Sequence, residues 1–368
     1  MKTKETNKRE KIVTGLRSLG AVRIKVSHAS LIRSSILFIV LLIAFIVRIL
    51  PIRWGYSLNE FDPYLQYRLT KHLAENGLLS WSPWQDYMSW YPWGRNMPRT
   101  AYPGLAFTAA ALYMVLKALG VPMVPGPTLD PLQSDPVYNL SVIFPVIMGT
   151  VTCLVIYFLG KELAGDVVGL FAAFFLALDS SYIGRTTLGF FDDETVGIFT
   201  ILLFILFFTR SLDVNRSLNS FLFYSSGSGL LLGYLSISWG ASRFLMAMTA
   251  LFALTLIVTR RYSSRLLMSY GITFILGLAI AVSIPYLSVS FLFDTSILPV
   301  YGVFFLLCLL EINRRARTLE RKVAYFIGFV ALISVLFALL WHMGFIKALE
   351  AKFWSLINPW LRPSYPLI

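Results

Sequence analysis

Charged residues are scarce in this sequence. Only 14% of the 368 residues are Asp, Glu, Lys or Arg, whereas 57% are apolar. Soluble domains average about 25% charged and roughly 45–50% apolar residues, so the composition excludes a soluble enzyme, a disordered chain and a nucleic-acid-binding module. Cysteine is almost absent as well: Cys153 and Cys308 lie in separate apolar runs and give neither a disulfide framework nor metal-ligand spacing. The composition therefore predicts a membrane protein.

Long apolar runs occupy most of the chain, and a membrane-spanning helix needs about 17–25 such residues. The runs that we predict to cross are 35–52, 137–160, 166–183, 195–210, 219–238, 242–259, 266–286, 296–311 and 323–346. A further run, 101–120, is ambiguous. The first run opens a multi-span chain without a small-residue cleavage site, so we interpret it as a retained span rather than a signal peptide.

Basic residues indicate the orientation. The net charge is 32 − 19 = +13. Lys and Arg cluster before residue 34, at 161, at 210–216, at 260–265 and at 314–322, and the positive-inside rule assigns these connections to the cytoplasm. Nine spans satisfy the rule if 101–120 is an interfacial or re-entrant helix. The predicted fold is therefore all-α, a polytopic membrane protein with about nine transmembrane helices.

The same pattern divides the chain into segments. We expect a cytoplasmic basic tail at 1–34, the first span at 35–52, a large outer loop with interfacial helices at 53–136, the remaining spans at 137–346 and the start of a second outer loop at 347–368. The large loop is rich in Trp and Tyr, which favour the headgroup layer of a membrane.

The few acidic residues are placed informatively. Those expected at the outer membrane surface are Glu60, Asp62, Asp192, Asp193 and Glu194. Carboxylates on loops suit Mg²⁺ or Mn²⁺, which could neutralise a leaving phosphate. A single carboxylate at a span end is more often a solvated helix cap, so the residues alone leave both interpretations open. Arg185 is correspondingly either an interfacial cation or a partner for these carboxylates or for a phosphate.

Several strings in the outer segments resemble one family. NEFDPYLQYR (59–68), followed by SWYPWGR (89–95) and AYPGL (101–105), is similar to the first outer loop of the catalytic subunit of oligosaccharyltransferase. GRTTLGFFDDETVGIF (184–199) resembles the second acidic motif of that family, and SWGAS (238–242) resembles its Ser-Trp-Gly outer turn. The strings occur in the family's order along the chain.

This resemblance implies a reaction and a metal site. The family transfers an oligosaccharide from a polyprenyl (dolichyl) phosphate or diphosphate to Asn of Asn-x-Ser/Thr sequons. By resemblance, Asp62 binds the metal and touches the acceptor amide, and Asp192 and Glu194 complete a site for Mn²⁺ or Mg²⁺. Asp193 is at the intervening variable position, and Arg185 supports the site or the substrate as a catalytic residue.

The resemblance also implies substrate contacts, partners and a location. Arg95 and Trp239, in two of the other strings, are expected to contact the substrate. The expected partners are a lipid-linked oligosaccharide, an acceptor polypeptide and membrane lipids, with no nucleic acid. The expected location is the plasma membrane of an archaeon or the endoplasmic reticulum, with the active site on the non-cytoplasmic side.

The last residues, 352–368, are similar to the family stretch that precedes its second large outer loop. We therefore expect an incomplete, singly inactive part of the enzyme, one half of a split enzyme that needs a C-terminal half or other subunits, or a short paralogue. Two alternatives from wider classes are another polyprenyl-phosphate-dependent membrane glycosyltransferase and a polytopic transporter. Arg48, Asp179 and Arg243 lie near predicted span ends, which disfavours a transporter because transport paths place charges deep in the membrane.

Overall fold

The computed structural model describes residues 27–123, 131–294, 296–316 and 318–342, so most of the predicted basic tail and all of 347–368 lie outside the described residues. The helices are α1 His28–Ile49, α2 Asp62–Asn76, α3 Met97–Thr100, α4 Gly104–Ala118, α5 Pro136–Ala164, α6 Asp166–Leu178, α7 Ser180–Gly184, α8 Glu194–Leu212, α9 Leu218–Ser238, α10 Ser242–Val258, α11 Ser264–Val282, α12 Leu298–Arg315 and α13 Leu319–His342. Short 3₁₀ turns span Leu50–Trp54, Leu78–Trp81 and Val289–Phe293.

The fold is mainly helical, as predicted, with one small exception in the large loop. Two-residue strands β1 (Gln85–Asp86) and β2 (Arg95–Asn96) pair antiparallel, with Gln85 opposite Asn96. Strands this short have no alternating pattern that a sequence could reveal.

Each predicted span overlaps a helix within the described ranges. Five helical segments are long and apolar enough to cross a membrane, namely His28–Trp54, Pro136–Ala164, Glu194–Leu212, Ser264–Val282 and Leu319–Leu339. α6 and α10 are apolar but shorter. α9 carries many serines and glycines, and α12 ends in a charged Glu-Ile-Asn-Arg-Arg stretch. The number of nine spans therefore stays a prediction.

The predicted span 166–183 is not one continuous helix. α6 ends at Leu178, and α7 begins at Ser180. Between them, the side chain of Asp179 accepts a hydrogen bond from the backbone N–H of Tyr182 at 2.7 Å. An aspartate that caps a new helix in this way ends the preceding one, because its own backbone adopts an extended conformation.

The ambiguous run 101–120 forms α4, whose 15 residues extend about 22 Å, less than the roughly 30 Å of a bilayer core. α4 packs on α2 through small side chains, with Ala106 and Ala110 buried against Leu69 and Leu73. The segment that we predict to be the large outer loop thus contains two helices that pack on each other. That α4 does not cross the membrane remains a prediction, as part of the nine-span topology.

Ion pairs gather at one end of the helix bundle. Asp166, at the start of α6, pairs with Arg33 near the start of α1 at 2.6 Å and with Lys161 near the end of α5 at 2.7 Å. Glu162 pairs with Arg210, at the end of α8, at 2.9 Å. The opposite ends of α1 and α8 adjoin the acidic residues of the two motifs. α1, α5, α6 and α8 therefore alternate in direction, as the charge pattern predicts.

Candidate active site

The loop between α1 and α2 docks onto the segment before α8 through backbone and amide groups. The N–H of Asn59 donates to the carbonyl of Gly189 at 3.0 Å, and Asn59 Nδ2 donates to the carbonyl of Leu188 at 2.7 Å. Gly189 has a φ of +82°, and a Cβ at this position would collide with the Ser57 carbonyl. Glycine is required here because the two chain segments approach so closely.

Arg48 anchors the same segment from the end of α1. Its buried guanidinium donates to Thr186 Oγ1 at 2.8 Å and to the carbonyls of Ala44 and Ala177 at 3.0 and 3.1 Å. Its own carbonyl accepts from the N–H of Leu188 at 2.9 Å. Hydrogen bonds of this kind compensate for burying the charge. The loop that carries the second acidic motif is therefore fixed on the C-terminal end of α1.

These contacts bring the two acidic motifs to one cavity of about 250 Å³. Asp62 begins α2 and Glu194 begins α8, so both carboxylates lie at helix N-termini, where the helix dipole favours negative charge. The cavity is lined by Asp62, Leu65, Gln66, Leu69, Arg95, Thr100, Ala101, Tyr102, Asp192, Asp193, Glu194 and Trp239. Five of the six predicted site residues therefore share this cavity.

The sixth predicted site residue, Arg185, is a neighbour of the cavity rather than part of its lining. Its guanidinium lies 3.6 Å from Glu194 Oε1 and above the ring of Phe190. Because Arg185 is half exposed, solvent screens this ion pair and leaves it weak.

The side chains of Arg95 and Trp239, the two residues predicted to contact the substrate, are oriented by contacts with neighbouring residues. Arg95 donates to Thr100 Oγ1 at 2.9 Å and to the Thr100 carbonyl at 2.8 Å, and its guanidinium lies above the Trp90 ring. Trp239 follows α9 and packs flat against Gly197, where any Cβ would meet the indole ring. Both side chains are therefore oriented by local packing.

The hairpin that carries Arg95 is braced by a buried carboxylate. Asp86 accepts two hydrogen bonds from Arg68, at 2.9 and 2.6 Å, one from Ser89 Oγ at 2.6 Å and one from the N–H of Met88 at 3.1 Å. Burial raises the pKa of Asp86, but the hydrogen bonds from Arg68, Ser89 and Met88 outweigh it and lower the pKa to about 2.

Burial and the crowding of carboxylates raise the pKa values of two aspartates that line the cavity. Burial raises the pKa of Asp192 to about 6; the N–H of Asp193 opposes the rise, and the nearby charges of Glu194 and Asp62 add to it. Burial raises the pKa of Asp193 to about 8; the nearby charges of Asp192, Glu194 and Asp62 add to the rise, and a hydrogen bond donated by Gln66 opposes it. At neutral pH Asp193 therefore keeps its proton in the folded chain.

Gln66 was missed by the sequence reasoning. Its Nε2 donates to Asp193 Oδ1 at 2.9 Å, and its buried Oε1 has no hydrogen-bond partner within the described part of the chain. A signal was available, because Gln66 follows Asp62 by four residues and thus shares its face of α2. Asp193, which we predicted to be at a variable intervening position, also lines the cavity.

The cavity suits a hard divalent cation in its donor chemistry. Among residues 27–123, 131–294, 296–316 and 318–342, no group of three His, Cys, Asp or Glu side chains is close enough to form a closed ligand set. However, Glu194 Oε2 is buried and has no hydrogen-bond partner in the described ranges, and Asp62 and Asp192 line the same cavity. A cation would satisfy this oxygen and relieve the mutual repulsion of the carboxylates.

Comparison with known proteins gives one matching family. The family model described as "Oligosaccharyl transferase STT3, N-terminal" matches residues 37–358. A rice dolichyl-diphosphooligosaccharide–protein glycosyltransferase subunit STT3B is 29% identical over 361 residues, which cover 95% of this chain and 48% of the relative. The Arabidopsis thaliana STT3B subunit is 32% identical over 296 residues, which cover 80% of this chain and 38% of the relative.

Solved structures give the same fold. The apo Archaeoglobus fulgidus oligosaccharyltransferase matches with a TM-score of 0.64 at 19% identity, covering 91% of this chain and 40% of that one. The complex of that protein with Zn and sulfate matches with a TM-score of 0.57 at 18% identity, covering 87% and 43%. The chain spans about half the length or less of the proteins it matches.

Proposed function

The chain belongs to the STT3 family of oligosaccharyl transferases, and from this membership we propose that it takes part in protein N-glycosylation. The proposed reaction transfers an oligosaccharide from a dolichyl or related polyprenyl phosphate or diphosphate to Asn of an Asn-x-Ser/Thr sequon. The observation that carries the proposal is the single cavity onto which Asp62, Asp192 and Glu194 face from two distant segments.

We assign the metal to the same carboxylates. Asp62, Asp192 and Glu194 would hold Mn²⁺ or Mg²⁺, and the ion, when bound, supplies positive charge that stabilises the leaving phosphate oxygen. The buried, unpartnered Oε2 of Glu194 supports this assignment. A related archaeal enzyme has been solved in complex with Zn and sulfate, which is a finding about that enzyme.

The acceptor amide requires help from the protein. An amide nitrogen is a poor nucleophile because its lone pair is delocalised, as in the planar peptide bond. In our proposal Asp62 accepts a hydrogen bond from the acceptor NH₂ and orients the nitrogen toward the donor. Arg185 adds positive charge beside Glu194, where the donor phosphate would bind.

Arg95 and Trp239 would contact the substrate from the rim of the cavity. Their orientation by Thr100 and Gly197 supports this role, because preorganised side chains lose little entropy on binding. We further propose that the cavity faces the non-cytoplasmic side of an archaeal plasma membrane or of the endoplasmic reticulum, in a nine-span topology. The ion-paired basic end of the bundle, opposite the cavity, supports this orientation.

Metal binding tests the site. In detergent, Mn²⁺ binding to the purified chain is measured by isothermal titration calorimetry or electron paramagnetic resonance. Asp62→Asn, Asp192→Asn and Glu194→Gln should each weaken binding by at least about tenfold. Glu75→Gln changes an exposed carboxylate on the same helix as Asp62 and should leave binding unchanged. Parent-like affinity in all three cavity variants would contradict the site assignment.

Donor binding tests the function. Dolichyl phosphate should bind the parent more tightly with Mn²⁺ than without it, because the ion adds a contact to the phosphate. Arg185→Met should weaken this binding without changing the affinity for Mn²⁺. A chain that binds Mn²⁺ but shows no Mn²⁺-dependent binding of dolichyl phosphate would count against the transferase proposal and favour a cation-binding role.

A further inference from the structure

A second cavity, of about 510 Å³, lies away from the acidic cavity and shares no lining residue with it. It is a groove between the outer ends of α1 and α5 and the C-terminal end of α4. Its volume lies within the roughly 300–1,000 Å³ of small-molecule sites. Its wall is mostly apolar and includes Ile52, Val121, Ile143 and Ile147. We call it the α4–α5 groove.

The groove changes from polar to apolar along α5. Asn139, Ile143 and Ile147 are spaced by four residues and therefore lie one above another on one helix face. The 29 residues of α5 extend about 43 Å, roughly 13 Å more than a bilayer core. Asn139 lies in the first turn of the helix, and Ile143 and Ile147 lie one and two turns further along it, toward the middle of its apolar length.

The apolar part of the groove opens sideways. Ile52 is 51% exposed and Ile147 is 41% exposed, although both line the groove. On the surface of a membrane-spanning helix such side chains face lipid. An acyl or isoprenoid chain can therefore enter the groove from the bilayer without crossing a polar surface.

The polar end carries an unsatisfied acceptor. Asn139 is only 4% exposed, and its Nδ2 donates to the Gln133 carbonyl at 2.7 Å. This hydrogen bond identifies which end of the side-chain amide is the nitrogen and which is the oxygen. Its backbone carbonyl accepts from Tyr56 Oη at 2.8 Å. Among the residues that the structure describes, the side-chain Oδ1 has no hydrogen-bond partner, although it is buried. Buried amide oxygens are rarely left unpaired, because their desolvation is not compensated.

We propose that the α4–α5 groove binds one membrane amphiphile whose headgroup donates a hydrogen bond to Asn139 and whose apolar chain lies along Ile143 and Ile147. The headgroup must carry an N–H or O–H donor, so ammonium and hydroxyl headgroups fit and a choline headgroup does not. The groove shares no residue with the acidic cavity, so this inference stands independently of the proposed function.

Competition between lipids tests the proposal. The purified chain is delipidated and incubated with equimolar palmitoyl-oleoyl phosphatidylethanolamine and palmitoyl-oleoyl phosphatidylcholine, and retained lipid is counted by native mass spectrometry. A parallel arm replaces phosphatidylethanolamine with phosphatidylglycerol, whose donors are hydroxyls. One added hydrogen bond corresponds to about fivefold preferential retention over phosphatidylcholine. A preference in either arm supports the proposal, and the two arms distinguish ammonium from hydroxyl donors.

Three variants separate the headgroup contact from the chain contact. Asn139→Leu should abolish the preference over phosphatidylcholine. Ile147→Trp fills the groove and should lower the retention of every lipid. The control is Val151→Trp, because Val151 lies one turn further along α5, is 38% exposed and is not among the residues that line the groove. This control should not change lipid retention. Circular dichroism confirms that each variant is folded. Equal retention of all lipids by the parent, or an unchanged preference in folded Asn139→Leu, would overturn the proposal.

Discussion

The hydrogen bond from Gln66 to Asp193 predicts a stability difference that depends on pH. Burial raises the pKa of Asp193 to about 8, whereas an unfolded aspartate has a pKa of about 3.9. Between these values the folded chain binds a proton that the unfolded chain has released. The contribution of Asp193 to the free energy of unfolding therefore falls as the pH rises from about 4 to 8, and it levels off above 8.

Gln66→Leu removes the side-chain donor to Asp193 and leaves its ionised carboxylate more poorly compensated. A hydrogen bond to a charged group contributes about 1.5–3 kcal/mol, and one pKa unit corresponds to 1.36 kcal/mol, so the pKa of Asp193 should rise by roughly one to two units. The variant also loses Gln66 Oε1, which has no hydrogen-bond partner among the described residues. Its removal adds a gain in the free energy of unfolding that does not depend on pH. The variant should therefore lose about 1–2.5 kcal/mol relative to the parent between pH 6 and pH 10.

The assay is thermal unfolding in detergent with EDTA present, measured at intervals from pH 6 to pH 10. The control introduces Gln66→Leu into an Asp193→Asn background, where the group that titrates is absent. In that background the difference caused by Gln66→Leu should be constant. If the single variant also differs from the parent by the same amount at every pH, the hydrogen bond does not act on the ionised form of Asp193 and the reasoning is refuted.

Three further changes probe the scaffold by thermal unfolding in the same detergent. Gly189→Ala adds a collision with the Ser57 carbonyl to the strain of a positive φ. Gly165 also has a positive φ but lies in open space, so Gly165→Ala should cost about 1–2 kcal/mol. Gly189→Ala should destabilise the chain clearly more than this control. Arg48→Met leaves several buried acceptors without a donor and should cost at least about 3 kcal/mol, against less than about 1 kcal/mol for exposed Arg53→Met. Asp86→Asn should cost about 1.5–3 kcal/mol at pH 7. Because the pKa of Asp86 is lowered to about 2, this cost should disappear as the pH falls from about 4 to 2, and a cost that persists at pH 2 would contradict the assignment to its charge.

The sequence predicted the family and the positions of the helices well. The family follows from five strings in the family's order along the chain, and the family model confirms it. The helices follow from the lengths of the apolar runs, which depend on local composition alone. The break at Asp179 was missed because one acidic residue at the edge of an apolar run is also compatible with a span end.

The site was predicted less completely than the fold. Asp62, Asp192 and Glu194 could be grouped because both motifs fall on the same predicted side of the membrane. The contacts of Asn59 with the Gly189 loop could not be predicted, because they depend on backbone directions in two loops. The burial of Asp193 was also hidden, since it depends on how the start of α8 is rotated against α2.

The two acidic segments are joined by Asn59, Gly189 and Arg48, and none of these contacts uses a carboxylate of the cavity. The groups that hold the architecture and the groups assigned to the chemistry are thus different residues. Variants that neutralise Asp62 or Glu194 should consequently retain the parent's shape. Such folded variants therefore allow the loss of one cavity carboxylate to be compared with the parent without a simultaneous change in architecture.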